Sequence, residues 1–374
     1  VYYFALKMLF GDRIKFVTLI VGLTFSVLLI SQQSSIFCGL MRRFYTSISN
    51  ARATVWVMDP GIRFIDDVKP MQETDLDRVK SVDEVAWAVP FMQRLTQIRL
   101  PSGDSENVYM IGVDAQSLVG LPQKVVAGRL EDINTPDAVV VDKAGLPKLG
   151  NATLGSTFEI NDRRARIVAI VDVPEGFQLL PYVYTTYDRA RLYSPPERKQ
   201  LSFILTEPKP GVSMAQLTAA IQEKTGLLAL SEKDFIWRTL QYFFANTGIP
   251  INFGITVALG VMVGAAIAAQ TFYTFTIENL RQFATMKAMG TNNWTLVKMV
   301  VLQSSVVGMI GYGLGLGLMS IFGSTVPKFT ALNFYTPWQI LVISFLAVVG
   351  VCMFSSLFSI WRIIRVDPAI VFRG

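Results

Sequence analysis

Four apolar runs constrain this chain more than any other feature. They are "KFVTLIVGLTFSVLLI" (15–30, extending to about 36), "IPINFGITVALGVMVGAAIAAQTFYTF" (249–275), "LVKMVVLQSSVVGMIGYGLGLGLMSIF" (296–322) and "WQILVISFLAVVGVCMFSSLFSIW" (338–361). A helix needs about 20 apolar residues to cross the hydrocarbon core, so each run reads as a transmembrane span. With 51% hydrophobic residues, 17% charged and a mean hydropathy of +0.41, the chain falls in the membrane class. The first run is too long for a cleaved signal peptide and no small-residue cleavage site follows it, so a retained span is expected.

Charge gives the orientation. Residues 37–245 carry 24 Lys and Arg against 25 Asp and Glu, whereas the remainder carries 10 against 3. The positive excess therefore lies wholly in the membrane part, +7 there against −1 in the inserted domain. A nucleic-acid binder would concentrate its excess on a soluble face, so nucleic acid is excluded as a partner. Lys7, Arg13 and Lys15 precede the first span, Arg281, Lys287 and Lys298 lie between or beside the second and third, and Arg362, Arg365 and Arg373 follow the fourth. The loop "GSTVPKFTALNFYTP" offers only Lys328. By the positive-inside rule both termini are cytoplasmic, and the large inserted domain faces outside.

The expected plan runs as follows along the chain. A cytoplasmic segment (1–13) leads to spans over 14–36, 249–275, 296–322 and 338–361. An extracytoplasmic domain with stalk helices at both ends occupies 37–245, a cytoplasmic segment 276–295, a short outside loop 323–337 and a cytoplasmic tail 362–374. The fold class is thus a membrane protein of four transmembrane α-helices, with a large α+β extracytoplasmic domain inserted between the first and second.

Several chemistries drop out. There is no histidine, which removes His-based acid–base, triad and metal schemes, and no metal site is expected. No phosphate-binding loop occurs; the nearest string, "GLPKLGN", has Asn151 where Lys is needed. Cys38 and Cys352 lie at different depths and are not expected to pair. The outer domain shows no nucleophile motif and no paired carboxylates on a recognisable scaffold. The chain is therefore expected not to be an enzyme by itself, with no catalytic residues and no cofactor of its own.

Period-two strings mark strands in that domain at 54–59, 84–91, 94–100, 107–113, 138–142, 165–173 and 201–206. Between them "SMAQLTAAIQEKTG" reads as a helix with Ser213 as N-cap and Gly226 as stop. "GLMRRFYTSISNARA" and "SEKDFIWRTLQYFFANTG" read as helices continuing beyond the bilayer, a two-legged stalk. Trp237, Tyr242, Phe243 and Phe244 then lie near the outer interface. They read either as an aromatic belt or as an amphiphile entrance formed with Phe37 and Met41, and both readings stay open. "QQSS" (32–35) either ends the apolar run or faces a polar group of a substrate. Gly260 with Gly264, and Gly311 with Gly315, have the four-residue spacing that lets helices approach closely. Packing within the protomer is expected for the third span; for the second, packing across a dimer is equally open.

The segment "RQFATMKAMGTNNWTLVKM" (281–299) is neither span nor tight turn. At 100° per residue, Leu280, Phe283, Ala284 and Ala288 share one side with Met286 at its margin, opposite Arg281, Gln282 and Thr285. Lys287 falls in the apolar arc and Met289 in the polar one. An interfacial helix would keep its arcs clean. An exposed Met beside basic residues suits a socket in another protein, and a surface-lying linker with a snorkelling Lys is the plainer alternative.

"ENLRQFATMKAMGTNNWTLVKMVVLQS" resembles the signature of FtsX-like permeases, membrane subunits of MacB-type ABC transporters. Arg281, Phe283, Ala284, Lys287, Ala288, Met289 and Gly290 match it by position, while Gln282 stands where many members carry an acid. The tail "RVDPAIVFRG" resembles the family's usual ending, and the order of span, domain and three spans matches throughout. Among subtypes the DevC-type branch is most similar.

The resemblance implies a bacterial inner-membrane permease working as a dimer with a second copy of itself. Two cytoplasmic ABC ATPase subunits would bind ATP and Mg. Arg281, Phe283, Ala284, Met286, Lys287, Met289 and Gly290 would form the coupling segment, and ATP-driven closure would move the stalk and outer domain by mechanotransmission. It further implies export of an amphiphile such as a lipid, glycolipid or macrocycle. Contact with membrane lipids, a periplasmic membrane-fusion protein and an outer-membrane channel are implied partners. A regulator of a cell-wall hydrolase and a haem exporter of the same architecture remain alternatives.

Overall fold

The computed structural model describes residues 2–195, 197, 200–326, 330 and 332–364. The tail from Arg365, including Arg373, and Lys328 lie outside the described residues. Two compact units form, Val1–Leu40 with Gly248–Gly374, and Met41–Thr247.

The chain begins with helices α1 (Tyr2–Gly11) and α2 (Arg13–Phe44). Asp12 separates them and caps the second, accepting from the Lys15 backbone N–H at 3.2 Å. At 1.5 Å per residue a 32-residue helix is about 48 Å long. That exceeds the roughly 30 Å of a hydrocarbon core.

The inserted unit holds α3 (Thr46–Ala51), β1 (Val55–Met58), α4 (Glu73–Lys80), β2 (Val85–Arg99), β3 (Ser105–Val113), β4 (Val125–Gly128) and β5 (Ala138–Asp142). It continues with β6 (Thr157–Ile160), β7 (Arg163–Val171), β8 (Tyr182–Thr186), α5 (Tyr187–Tyr193), β9 (Phe203–Pro208), α6 (Met214–Thr225), β10 (Leu228–Ser231) and α7 (Glu232–Asn246). The strands form one sheet in the order β10-β1-β9-β2-β3-β8-β5-β7-β4, with β6 joining β2 to β7. The β2–β3–β8–β5–β7–β6 ring closes through the single pair Arg99↔Glu159.

Two strings that read separately, 84–91 and 94–100, are one strand, β2. Its first half pairs with β9 as far as Phe91↔Phe203, and its second pairs with β3 from Met92↔Gly112. The edge facing β3 is thus unpaired until Met92, so a residue without an N–H is tolerated at Pro90. Central strands are covered on both faces, which explains their near-continuous apolar sequences. Val55 and Val57 enter one core cluster while Trp56 and Met58 enter the other, and Val139 and Val141 alternate with Val140 in the same way. Helix α6 starts and stops as its sequence indicates. Ser213 and Gln216 form a capping box, and Gly226 closes the helix at φ +72°.

The membrane unit resumes with α8 (Ile249–Glu278), α9 (Leu280–Ala288), α10 (Asn293–Thr325) and α11 (Trp338–Ile364). Among the described residues four helices, α2, α8, α10 and α11, are long and apolar enough to cross a membrane. The second stalk leg differs from expectation, because α7 and α8 are separate helices. Thr247 is extended (φ −126°, ψ 150°), and Pro250 lies in the first turn of α8. A proline there is compatible with a helix start and would break a continuing helix.

Candidate functional site

Helix α9 is short, and its buried side explains how it is held. Phe283, Ala284 and Met286 are 1%, 0% and 9% exposed. Phe283 and Met286 join a cluster with Ala5 and Met8 of α1, Phe275 of α8 and Leu296, Met299 and Val300 of α10. Gln303, buried in α10, donates to the Ala5 carbonyl at 2.8 Å and ties α1 to the same bundle end. Arg281, Gln282 and Thr285 are exposed, as their arc indicates. Ala288, expected on the apolar side, is exposed instead, because the helix ends there and the chain turns.

The turn is a Schellman stop. Gly290 donates to the Lys287 carbonyl at 3.0 Å and Thr291 to the Met286 carbonyl at 3.1 Å, with Gly290 at φ +90°. Asn292 then caps α10 by accepting from the Trp294 N–H at 3.3 Å. Two residues break the helix pattern in different ways. Lys287 turns to the end of α11 and donates to the Ile364 carbonyl at 2.9 Å. Met289 is 74% exposed, in the same segment as the exposed Arg281 and Trp294.

Glycines bring the spans together. A methyl on Gly311 would lie 2.8 Å from Leu23 Cβ, one on Gly315 2.6 Å from Val27 Cβ, and one on Gly260 3.2 Å from Leu29 Cβ. A methyl on Gly264 would strike Ser26, whose hydroxyl donates to the Gly260 carbonyl at 2.7 Å. All four therefore face α2 of the same protomer, whereas Gly313 and Gly317 meet no atom within 4 Å. The polar "QQSS" run is partly used within the chain: the Thr336 hydroxyl donates to Ser35 Oγ at 2.9 Å.

The aromatic residues of α7 split by face. Tyr242 stacks on Phe64 at 4.5 Å under the Arg63 guanidinium, and Phe243 stacks on Phe44 at 3.5 Å and lies edge-on to Phe64. Phe177 adds a third ring to Phe44 at 4.3 Å. Phe243 is therefore 9% exposed, while Trp237 and Phe244 are 57% and 43% exposed. Met41 is buried. Phe37, in the membrane unit, is tilted against Phe253 at 5.4 Å. The partners Phe44, Phe64 and Phe177 come from three distant parts of the sequence and could not be named from it.

Two family models match the chain. The MacB-like periplasmic core domain covers residues 16–224, and the FtsX-like permease C-terminal domain covers residues 254–368. Among similar proteins are two uncharacterised ABC transporter permeases of Mycobacterium tuberculosis (strain H37Rv). Rv2563 is 26% identical over 305 residues, and Rv0072 is 24% identical over 306. Each alignment covers 82% of this chain and 80% of the relative. Similar solved structures include the periplasmic region of MacB from Actinobacillus actinomycetemcomitans, with TM-score 0.38 and 17% identity over 53% of this chain and 94% of that one. The extracellular domain of the ABC-type transporter YknZ from Gram-positive bacteria is another, with TM-score 0.36 and 14% identity over 48% and 98%. With a core-domain match over more than half its length and a permease match behind it, the chain belongs to the family of MacB-like, FtsX-like ABC transporter permeases, multi-pass membrane proteins whose family implies a partner ATPase.

Proposed function

We propose that this chain is the permease of an ATP-driven exporter, and that α9 with its stop at Met289 and Gly290 is the docking point of a separate ATPase subunit. The observation that carries the reading is the division of labour along α9. Phe283, Ala284 and Met286 fasten it to the bundle end, while Met289 is left 74% exposed. A segment fixed on one side and offering a pliable apolar side chain on the other suits transmission of force into the spans. In this reading two ATPase copies bind ATP and Mg, a second copy of this chain completes the permease, and this chain performs no enzymatic step. Both termini and residues 276–295 are then cytoplasmic, in a bacterial inner membrane.

Substrate movement is assigned to mechanotransmission acting on an amphiphile rather than to a polar channel. No Asp, Glu, Lys or Arg lies in the middle of any span, where a hydrophilic pathway normally places one. Gln303, buried in α10, is bonded within the chain. The test is cross-linking from the exposed residue. Met289→Cys, in a background with Cys38 and Cys352 replaced, is coupled to a photoactivatable maleimide and irradiated with the ATPase present. A cross-link to the ATPase is expected; products confined to lipid or to this chain would overturn the docking point.

A further inference from the structure

The inserted unit contains a polar cavity that the transport reading does not use. It lies between β2, β3, the segment after β1 and the residues leading into β9, with a volume of about 310 Å³. Val68, Pro70, Met92 and Leu95 give it an apolar wall, and Asp66, Gln93 and Tyr109 a polar one. Gln93 is 2% exposed, and its Nε2 donates to Asp66 Oδ1 at 2.8 Å. The Gln93 Oε1, buried with it, has no partner. A buried amide oxygen left unpaired costs free energy that a ligand or an ordered water recovers.

The neighbouring charges define what would fit. Arg94, the cation lining the cavity, is paired with Glu197, and Arg63 outside it with Asp67. Gln200 is committed to Arg191 and the Pro195 carbonyl. Asp66 has no cationic partner among the described residues. The cavity thus offers two acceptors, one a carboxylate, against an apolar wall, with the exposed Gln178 at its margin. An anion is repelled by Asp66, and an alcohol has a single proton to give. A primary ammonium has three donors and a compensating charge.

We propose that this cavity binds the primary ammonium group of an alkylamine-like ligand, held between the Asp66 carboxylate and Gln93 Oε1, with its alkyl part along Val68 and Leu95. The proposal stands independently of the transport reading.

The probe is n-butylammonium, with n-butanol as the uncharged comparison. The full chain, labelled with methyl-13C leucine and reconstituted in lipid nanodiscs, reports through the Leu95 methyl resonances, identified by Leu95→Met. The expected result is a saturable shift of those resonances with n-butylammonium, and binding of n-butanol weaker by about tenfold or more. Asp66→Asn keeps the shape and removes the charge, so it should lower ammonium binding to the level of the alcohol. No saturable shift with n-butylammonium, or equal binding of amine and alcohol, would overturn the proposal and leave the cavity to water. If Asp66→Asn does not fold, the amine-to-alcohol comparison on the natural chain decides alone.

Discussion

Lys287 and Ile364 meet end to end: the lysine ammonium of α9 donates to the Ile364 carbonyl in the last turn of α11 at 2.9 Å. A cation at a helix C-terminus satisfies an orphan carbonyl and the negative end of the helix dipole. The lysine that interrupts the apolar arc of α9 therefore has a use inside the chain. Replacing it should loosen the end of α11 more than any surface contact of α9. Lys287→Ala is expected to cost about 0.3–1 kcal/mol and to speed amide hydrogen exchange at the end of α11, with the rest of the bundle unchanged. Unaltered exchange there would mean that the contact contributes nothing.

Phe243 lies under Phe44, Phe64 and Phe177, so its truncation opens a cavity in the inserted unit. Phe243→Ala should destabilise that unit by about 3–5 kcal/mol, read as a lower midpoint in thermal unfolding. Trp237→Ala, at a site 57% exposed, should leave the midpoint within experimental scatter. Equal behaviour of the two would contradict the packing.

The face selectivity of the α10 glycines gives a paired comparison. Gly315 abuts Val27 of α2, and Gly317 faces open space. Gly315→Leu should cost about 1–3 kcal/mol of bundle stability through overpacking. Gly317→Leu should leave the protomer intact, and any loss it causes should appear only in oligomer formation. Comparable unfolding by both variants in detergent would sink the assignment.

Asp142 is 1% exposed and accepts from the Tyr182 and Gly145 backbone N–H groups at 2.7 and 2.9 Å. Burial pushes its carboxyl up to about 6, against those two hydrogen bonds. Between the unfolded value near 3.8 and about 6, the folded chain therefore holds a proton that the unfolded chain has released. Stability from this group is present below the unfolded value and falls as pH rises through about 6. Other carboxylates contribute with the opposite sign, so the readout is a difference. Asp142→Asn should make the stability slope across this window less negative than in the natural chain. An identical slope would show that the group does not titrate there.

How much of this was legible depended on how local the determining interaction was. Ser213 and Gly226 announce their helix because capping acts over three or four residues. The buried side of α9 follows from periodicity for Phe283 and Ala284, whereas Ala288 misleads because a wheel cannot show that the helix ends beside it. The strings 84–91 and 94–100 divide β2 on paper and not in the fold, since its continuity depends on β3 taking over at Met92 where β9 stops pairing at Phe91. Strands β4, β6 and β10, four residues each, are too short to show a period, and β8 is buried along its full length and shows no alternation. The Phe243 cluster and the Asp66–Gln93 pair depend on residues brought together from distant segments, which no local pattern encodes.

Orientation is tested by two single cysteines in a background lacking Cys38 and Cys352. One placed at Asn292 should react with an impermeant maleimide only from the cytoplasmic side, and one at Ser102 only from outside. Reaction of both from one side would contradict the four-span plan.

The central claim is that exposed Met289 seats in an ATPase subunit, and the most direct measurement is co-purification of the ATPase with Met289→Asp. Burying one Met-sized side chain is worth roughly 1.5–3 kcal/mol, so a charge in its place should reduce ATPase retention by about tenfold or more. The variant should still fold and reach the membrane, because Phe283, Ala284 and Met286 keep α9 fastened. Loss of the ATPase from a folded, membrane-inserted Met289→Asp permease is the predicted result. Full retention, with undiminished ATP-driven transport, would contradict the account and leave the segment a linker.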